Sequence, residues 1–244
     1  MRVLFIGNSH TYFNDMPKTL QEIMGQLTGE EPEVVMLAYS YKDLAWHMKS
    51  EYFAGRFNLM YGGYDYCVMQ QGAHPFPGDM TTNENVMRIS ELCRKFGTKP
   101  VLIQTWAERD FPEHQTKLTM ANARAARMAR AILAPVGTIW KKFREEEPDI
   151  DLFNYDGEHV GVYGALLEAA TVARVICRDM GVEKDLKGIP VTVRKFAGEE
   201  EIDYEAPVVK EDPAEVVAEA DDETVKKVIG AVEAFMEREK EMLG

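Results

Sequence analysis

The sequence predicts an α/β fold in which a parallel β-sheet is covered by helices on both faces. Three observations carry that prediction. Short apolar runs alternate along the chain with longer stretches of helical periodicity. The runs are continuously apolar, as strands buried on both faces are, and do not alternate with polar residues. The connections open with helix-start signals and not with hairpin turns.

RVLFI (2–6) is the first strand. Asp15-Met16-Pro17 then starts a helix to about residue 27, with Asp15 as cap and Pro17 in the first turn, where a missing N–H costs nothing. EVVMLAY (33–39) is the second strand and DYCVMQ (65–70) the third. A helix over 82–96 leads into KPVLIQTW (99–106), the fourth strand. A long Ala- and Arg-rich helix covers 114–133, and IDLFNY (150–155) is the fifth strand. Residues 163–180 are apolar at helical spacing, so that helix is buried. The character changes after Gly181: 189–196 reads as an edge strand or extended arm, and 222–242 as a charged amphipathic helix. The division expected is a domain over 1–182 and a C-terminal extension over 183–244 that packs on it.

The chain has 244 residues, 45% of them hydrophobic and 10% aromatic, enough for one large globular core. The formal net charge is −13. The stretch 199–223 holds twelve acidic residues against Lys210 alone, so it contributes −11 and the remainder is close to neutral. Nucleic acid, which requires clustered Lys and Arg, is therefore not an expected partner. No window approaches the ~18 apolar residues of a membrane span. The first apolar run is too short for a signal sequence, and Cys67, Cys93 and Cys177 are odd in number and set in apolar contexts. The expectation is a soluble cytoplasmic protein with buried free thiols, without a membrane partner.

In an open parallel sheet, ligands bind beyond the carboxyl ends of the strands. The polar residues falling there are Gly7-Asn8-Ser9-His10-Thr11, Ser40-Tyr41-Lys42, Gln70-Gln71-Gly72-Ala73-His74, Gln104-Thr105-Trp106 and Asp156-Gly157-Glu158-His159. In the last set a carboxylate and an imidazole lie three residues apart, just ahead of a helix. The carboxylate can hold one ring nitrogen and leave the other free as a general base. Ser9, one of only four serines, would supply the nucleophile, which is the logic of a Ser-His-Asp triad.

FIGNSHTYFNDMP resembles the nucleophile block of the SGNH (GDSL-like) hydrolases, with GNS in place of GDS, and DGEHVGVYG resembles that family's final block, with Gly164 five residues after His159. The resemblance spans roughly 1–180. It implies a flavodoxin-like three-layer α/β/α sandwich and ester hydrolysis through an acyl-enzyme, with Ser9 as nucleophile, His159 as base and Asp156 as its orienter. The oxyanion hole implied is the Ser9 N–H, the Ser40 N–H where the family usually has glycine, and Gln71, with Gln70 close behind, where it usually has asparagine. Relatives acting on acetylated sugars carry a Gln-Gly pair at that point, which favours Gln71.

Other readings apply to the remaining polar residues. Asn8 shapes the turn. His10, His74 and Trp106 are candidate substrate-binding residues, with Glu108 and Arg109 as further candidates for the wall of the site. His47 is expected to be a structural histidine, and His114 a surface residue at a helix start. No His and Cys cluster has metal-ligand spacing, and Gly7-Asn8-Ser9 lacks the phosphate-loop pattern, so no metal or cofactor is called for. The function expected is a serine esterase acting on a small acyl ester, acetyl by preference, of a carbohydrate or similar polar alcohol. The rival is a non-catalytic flavodoxin-like module that binds a small ligand or protein at the same rim. The discriminating feature is whether Ser9 Oγ reaches His159 Nε2 with Asp156 on the opposite nitrogen. The sequence does not set the oligomeric state.

Overall fold

β1 (Arg2–Gly7), β2 (Glu33–Ala38), β3 (Tyr66–Gln70), β4 (Lys99–Ile103) and β5 (Ile132–Ala134) form one all-parallel sheet in the order β2-β1-β3-β4-β5. That order and the helices on both faces make a flavodoxin-like three-layer α/β/α sandwich. The structure, a computed structural model, describes residues 1–49, 51, 53–195, 215–216 and 220–243.

Each strand divides its apolar run between two cores, because successive side chains leave opposite faces. Val3, Phe5, Tyr66, Val68, Val101 and Ile103 enter one core. Leu4, Ile6, Cys67, Met69 and Leu102 enter the other. The first core is closed by α2 (Met16–Thr28), α7 (Val136–Glu146), α8 (Val162–Asp179) and α9 (Asp222–Leu243). The second lies under α3 (Leu44–His47), α4 (Ala54–Tyr61), α5 (Asp79–Lys95) and α6 (His114–Ala129). Register aligns the carboxyl ends: Gly7 pairs with Ala38 and Gln70 with Ile103, so the loops that follow share one rim.

Two of the expected elements are corrected. The fifth strand is not 150–155 but Ile132–Ala134, which overlaps the end of the stretch 114–133 read as a helix. The helix stops at Ala129 because Arg130 turns left-handed (φ 52°), and the chain re-enters the sheet. Residues 150–155 form a loop whose one β-bridge is antiparallel, Phe153 to Val160. Their apolar side chains serve packing: Phe153 meets Trp140 edge-on at 5.0 Å. Asp15 does stand at the helix start, but in a left-handed conformation (φ 53°) with no side-chain capping bond. Helix α7 had no counterpart in the sequence reading.

In the C-terminal part, Arg194–Lys195 pairs antiparallel with Glu215–Val216 as a small separate ribbon. Most of the acidic stretch lies outside the described residues. Helix α9 docks on α8 through Val228, Ile229, Val232 and Met236. Glu233, buried at its docking face, forms an ion pair with Arg174, whose Nε is 2.8 Å from Oε1, and accepts from the Leu186 N–H at 2.9 Å. Cys67, Cys93 and Cys177 are free and buried. No described helix is long and apolar enough to cross a membrane.

Candidate active site

β1 ends at Gly7, and the chain turns at once into the short helix α1 (Ser9–Tyr12). Asn8 makes the turn: its backbone is extended, and its Oδ1 accepts from the His10 N–H at 3.1 Å. Gly7 is required by close approach, since a Cβ there would lie 2.1 Å from Thr11 Oγ1. The Gly7 carbonyl accepts from the Tyr39 N–H at 3.2 Å and from His47 Nε2 at 2.8 Å. His47 is thus structural, and burial pushes its pKa down to about 4, so it is a neutral donor at neutral pH. Ser9 stands on this braced turn with 7% of its surface exposed.

Asp156 and His159 lie in the loop between α7 and α8, more than 140 residues away in sequence. Asp156 Oδ1 accepts from the backbone N–H groups of Glu158 and His159, at 2.9 and 3.0 Å. Asp156 Oδ2 accepts from His159 Nδ1 at 2.6 Å. Burial alone would raise this carboxyl, but the bonds from Glu158 and His159 outweigh it and hold it below the usual carboxylate range. The other ring nitrogen, His159 Nε2, is 2.8 Å from Ser9 Oγ. With Nδ1–H committed to the carboxylate, Nε2 is the acceptor for the serine proton.

The loop is tied down from three sides. Asn14 Nδ2 donates to the Val160 carbonyl at 2.8 Å, joining the serine segment directly to the histidine segment. Trp106 Nε1 donates to the Glu158 carbonyl at 2.9 Å. The Arg109 N–H donates to Gly157 O at 2.8 Å, and its guanidinium to Asn154 O at 2.9 Å. Gly164 lets α8 approach: a Cβ there would lie 2.1 Å from the Leu152 carbonyl and 2.6 Å from Trp140.

The two glutamines after β3 differ sharply. Gln70 donates its amide to the Gln71 carbonyl and accepts from Thr11 Oγ1 at 3.2 Å, so its side chain is engaged at both ends. Gln71 Oε1 accepts from the Leu44 N–H at 3.1 Å, which fixes which end is nitrogen. Its Nε2 is buried with no protein partner. The Ser40 hydroxyl accepts from Tyr12 Oη at 3.2 Å, and its N–H makes none of the turn and loop backbone bonds among the described residues.

The three candidate substrate-binding residues have largely buried side chains. Trp106 is fully buried and stacks on Trp140 at 4.7 Å. His10 is 5% exposed, with both ring nitrogens buried and unpartnered. The His74 side chain is 4% exposed, and its Nδ1 is 3.1 Å from Glu108 Oε1 but off the hydrogen-bonding axis, an electrostatic contact and not a directed bond. His10 lies 4.6 Å from the His159 imidazole, and His74 and Trp106 lie 5.3 and 5.5 Å from His10. Glu108 links His74 to exposed His114, 3.3 Å away. Asn14 and Phe13 went unread; the signal for Asn14 was an asparagine beside a turn, and the structure has it left-handed at φ 52°. Among the described residues no group of three His, Cys, Asp or Glu is arranged to hold a metal ion.

No protein-family model matches the sequence, and no curated protein does. Among solved structures, the chain is similar to a Slackia heliotrinireducens protein proposed to be an SGNH hydrolase (28% identity over 72% of this chain and 98% of that one, TM-score 0.61). It is similar to a DUF4886 family protein from Bacteroides uniformis (16% identity, 97% and 94% covered, TM-score 0.67). It is also similar to the acetyl xylan esterase AlAXEase (13% identity, 72% and 100% covered, TM-score 0.59).

Proposed function

We propose that this chain, a serine hydrolase of the SGNH (GDSL-like) family, is an esterase that removes a small acyl group, acetyl by preference, from a carbohydrate or similar polar alcohol. The observation that carries the reading is the continuous line from Asp156 through His159 to Ser9, at 2.6 and 2.8 Å. A module that only binds ligand has no need of that line.

Ser9 Oγ attacks the ester carbonyl carbon while its proton passes to His159 Nε2. Asp156, held ionised, keeps the imidazole in the right tautomer and stabilises the imidazolium. The oxyanion is received by the Ser9 and Ser40 N–H groups and by Gln71 Nε2, which is buried and otherwise unpaired. Gln70 is the poorer donor, because one N–H of its amide already goes to the Gln71 carbonyl and its Oε1 is held by Thr11. Collapse expels the alcohol, which takes the proton from His159 and leaves an acyl-Ser9 ester. His159 then takes a proton from water as the hydroxide attacks, the acid departs, and Ser9 regains its proton. All these residues lie within 1–182, the part read as the hydrolase domain, with 183–244 as its extension.

The acetyl-carbohydrate preference is supported by the Gln71-Gly72 pair and by the acetyl xylan esterase among the similar structures. The test is fluorophosphonate labelling of the wild type and Ser9→Ala, alongside p-nitrophenyl acetate turnover. Stoichiometric labelling lost in the variant is expected; a folded wild type that neither labels nor turns over would end the esterase reading.

A further inference from the structure

The His159 imidazole is held in its own plane by Asp156 and Ser9, but its two faces are also covered, and by aromatic rings. Phe13 lies against one face with ring centroids 4.3 Å apart and an interplanar angle of 20°. His10 stacks on the same imidazole at 4.6 Å and 25°; two rings this close and nearly parallel to it would overlap on one face, so His10 covers the other. Both rings come from the segment that carries the nucleophile, four residues or fewer from Ser9. We infer that Phe13 and His10 are positioning residues that form a π-sandwich around His159 and stabilise the imidazolium it becomes on taking the Ser9 proton. The inference rests on the reading of His159 as general base.

The chemistry follows from the charge balance of that step. The Oγ–H bond of Ser9 breaks, the Oγ–carbon bond forms, and His159 gains one positive charge with its second N–H. Aromatic faces attract such a cation, more so when it is shielded from water. Asp156 acts at the ring edge, so the faces are free for this contribution. His10 fits only if it is neutral, since a charged ring would repel the imidazolium. Burial, and then the nearby imidazoles of His159 and His74, press its pKa well below the ordinary range. Both His10 nitrogens are buried without a partner, an arrangement that costs stability and that a leucine of similar size would avoid. The ring is therefore a stability sacrifice at the position touching the catalytic base. Trp106 and His74 pack against it, tilted, at 5.5 and 5.3 Å.

The titratable groups near His159 come from four segments. Asp156 and Glu158 belong to its own loop, His10 to α1, His74 to the loop after β3, and Glu108, 3.1 Å from His74, to the loop after β4. None of these is altered by changing Phe13, which makes Phe13 the cleaner probe.

The experiment is the pH dependence of kcat/KM for p-nitrophenyl acetate in wild type, Phe13→Leu, Phe13→Tyr, His10→Leu and His10→Phe, each checked for folding by thermal melting and for Ser9 by fluorophosphonate labelling. The leucine variants should move the acidic limb down by ~0.5–1 pH unit each and lower the plateau about 3- to 10-fold. The ring-retaining variants should keep the limb within ~0.2 unit of wild type. If the leucine variants lose rate with the acidic limb unmoved, the rings only pack, and the inference is overturned. Should a leucine variant not fold, its methionine counterpart gives the same comparison. Failure of the wild type to label would instead defeat the general-base reading beneath it.

Discussion

Gln71→Met tests the oxyanion assignment most directly, because the structure makes Gln70 its internal control. The methionine keeps the length and bulk of the glutamine and removes its N–H. In the folded protein two things change. The Leu44 N–H loses its 3.1 Å acceptor, a cost of roughly 1–3 kcal/mol. At the same time the unpartnered Nε2 is no longer buried, which recovers a cost of about the same size. Net stability should change by less than about 1 kcal/mol. Loss of one oxyanion donor should lower kcat by about 10²–10³, or roughly 3–4 kcal/mol of transition-state stabilisation. Gln70→Met is the opposite case. It breaks the bonds to Thr11 Oγ1 and to the Gln71 carbonyl, so it should destabilise by roughly 2–3 kcal/mol while kcat per folded molecule falls less than about tenfold. Urea melts and p-nitrophenyl acetate kinetics, normalised to fluorophosphonate-labelled sites, measure both quantities. A Gln71→Met enzyme within threefold of wild type, or a rate collapse in Gln70→Met alone, would refute the assignment.

Asp156→Asn should leave the fold and Ser9 in place but cut kcat by about 10⁴, because an amide lets the imidazole adopt the wrong tautomer; steady-state kinetics and a crystal structure of the variant check it. Gly164→Ala forces a methyl onto the Leu152 carbonyl and Trp140, and should cost about 1–3 kcal/mol or more in chemical denaturation, with the Asp156–His159 loop displaced. His47 carries a pH signature. Its folded pKa is depressed from 6.5 to about 4, so the unfolded chain binds the proton first as pH falls. Its penalty is absent above about pH 6.5 and grows to about 3 kcal/mol by about pH 4. His47→Gln, which keeps a donor for Gly7 O, should therefore show a shallower loss of stability over that window in urea melts. An unchanged slope would mean His47 does not titrate as its burial requires.

Local chemistry alone made much of this protein legible. β1 to β4 are apolar runs long enough to declare themselves, and α2, α5, α6 and α8 follow from helical periodicity. Ser9, Asp156 and His159 were readable because each falls in a short, chemically specific string. Local signals failed where packing overrode them. Ile132–Ala134 is three residues joined to a helix without a gap, too short for periodicity to separate, whereas 150–155 is apolar because Phe153 packs on Trp140 and not because it pairs with a neighbour.

Long-range contacts supplied the rest. That Gln71 and not Gln70 has a free amide depends on Leu44, Thr11 and the backbone of Gln71 itself. That His10, His74 and Trp106 pack in one group beside the imidazole depends on how three separate segments meet. The sequence by itself determined which groups could react, because reactivity belongs to side-chain type and to close spacing along the chain. Only the tertiary structure decided which of them meet, because Ser9 and His159 are 150 residues apart, and their 2.8 Å separation exists only once the sheet has brought its strand ends to one rim.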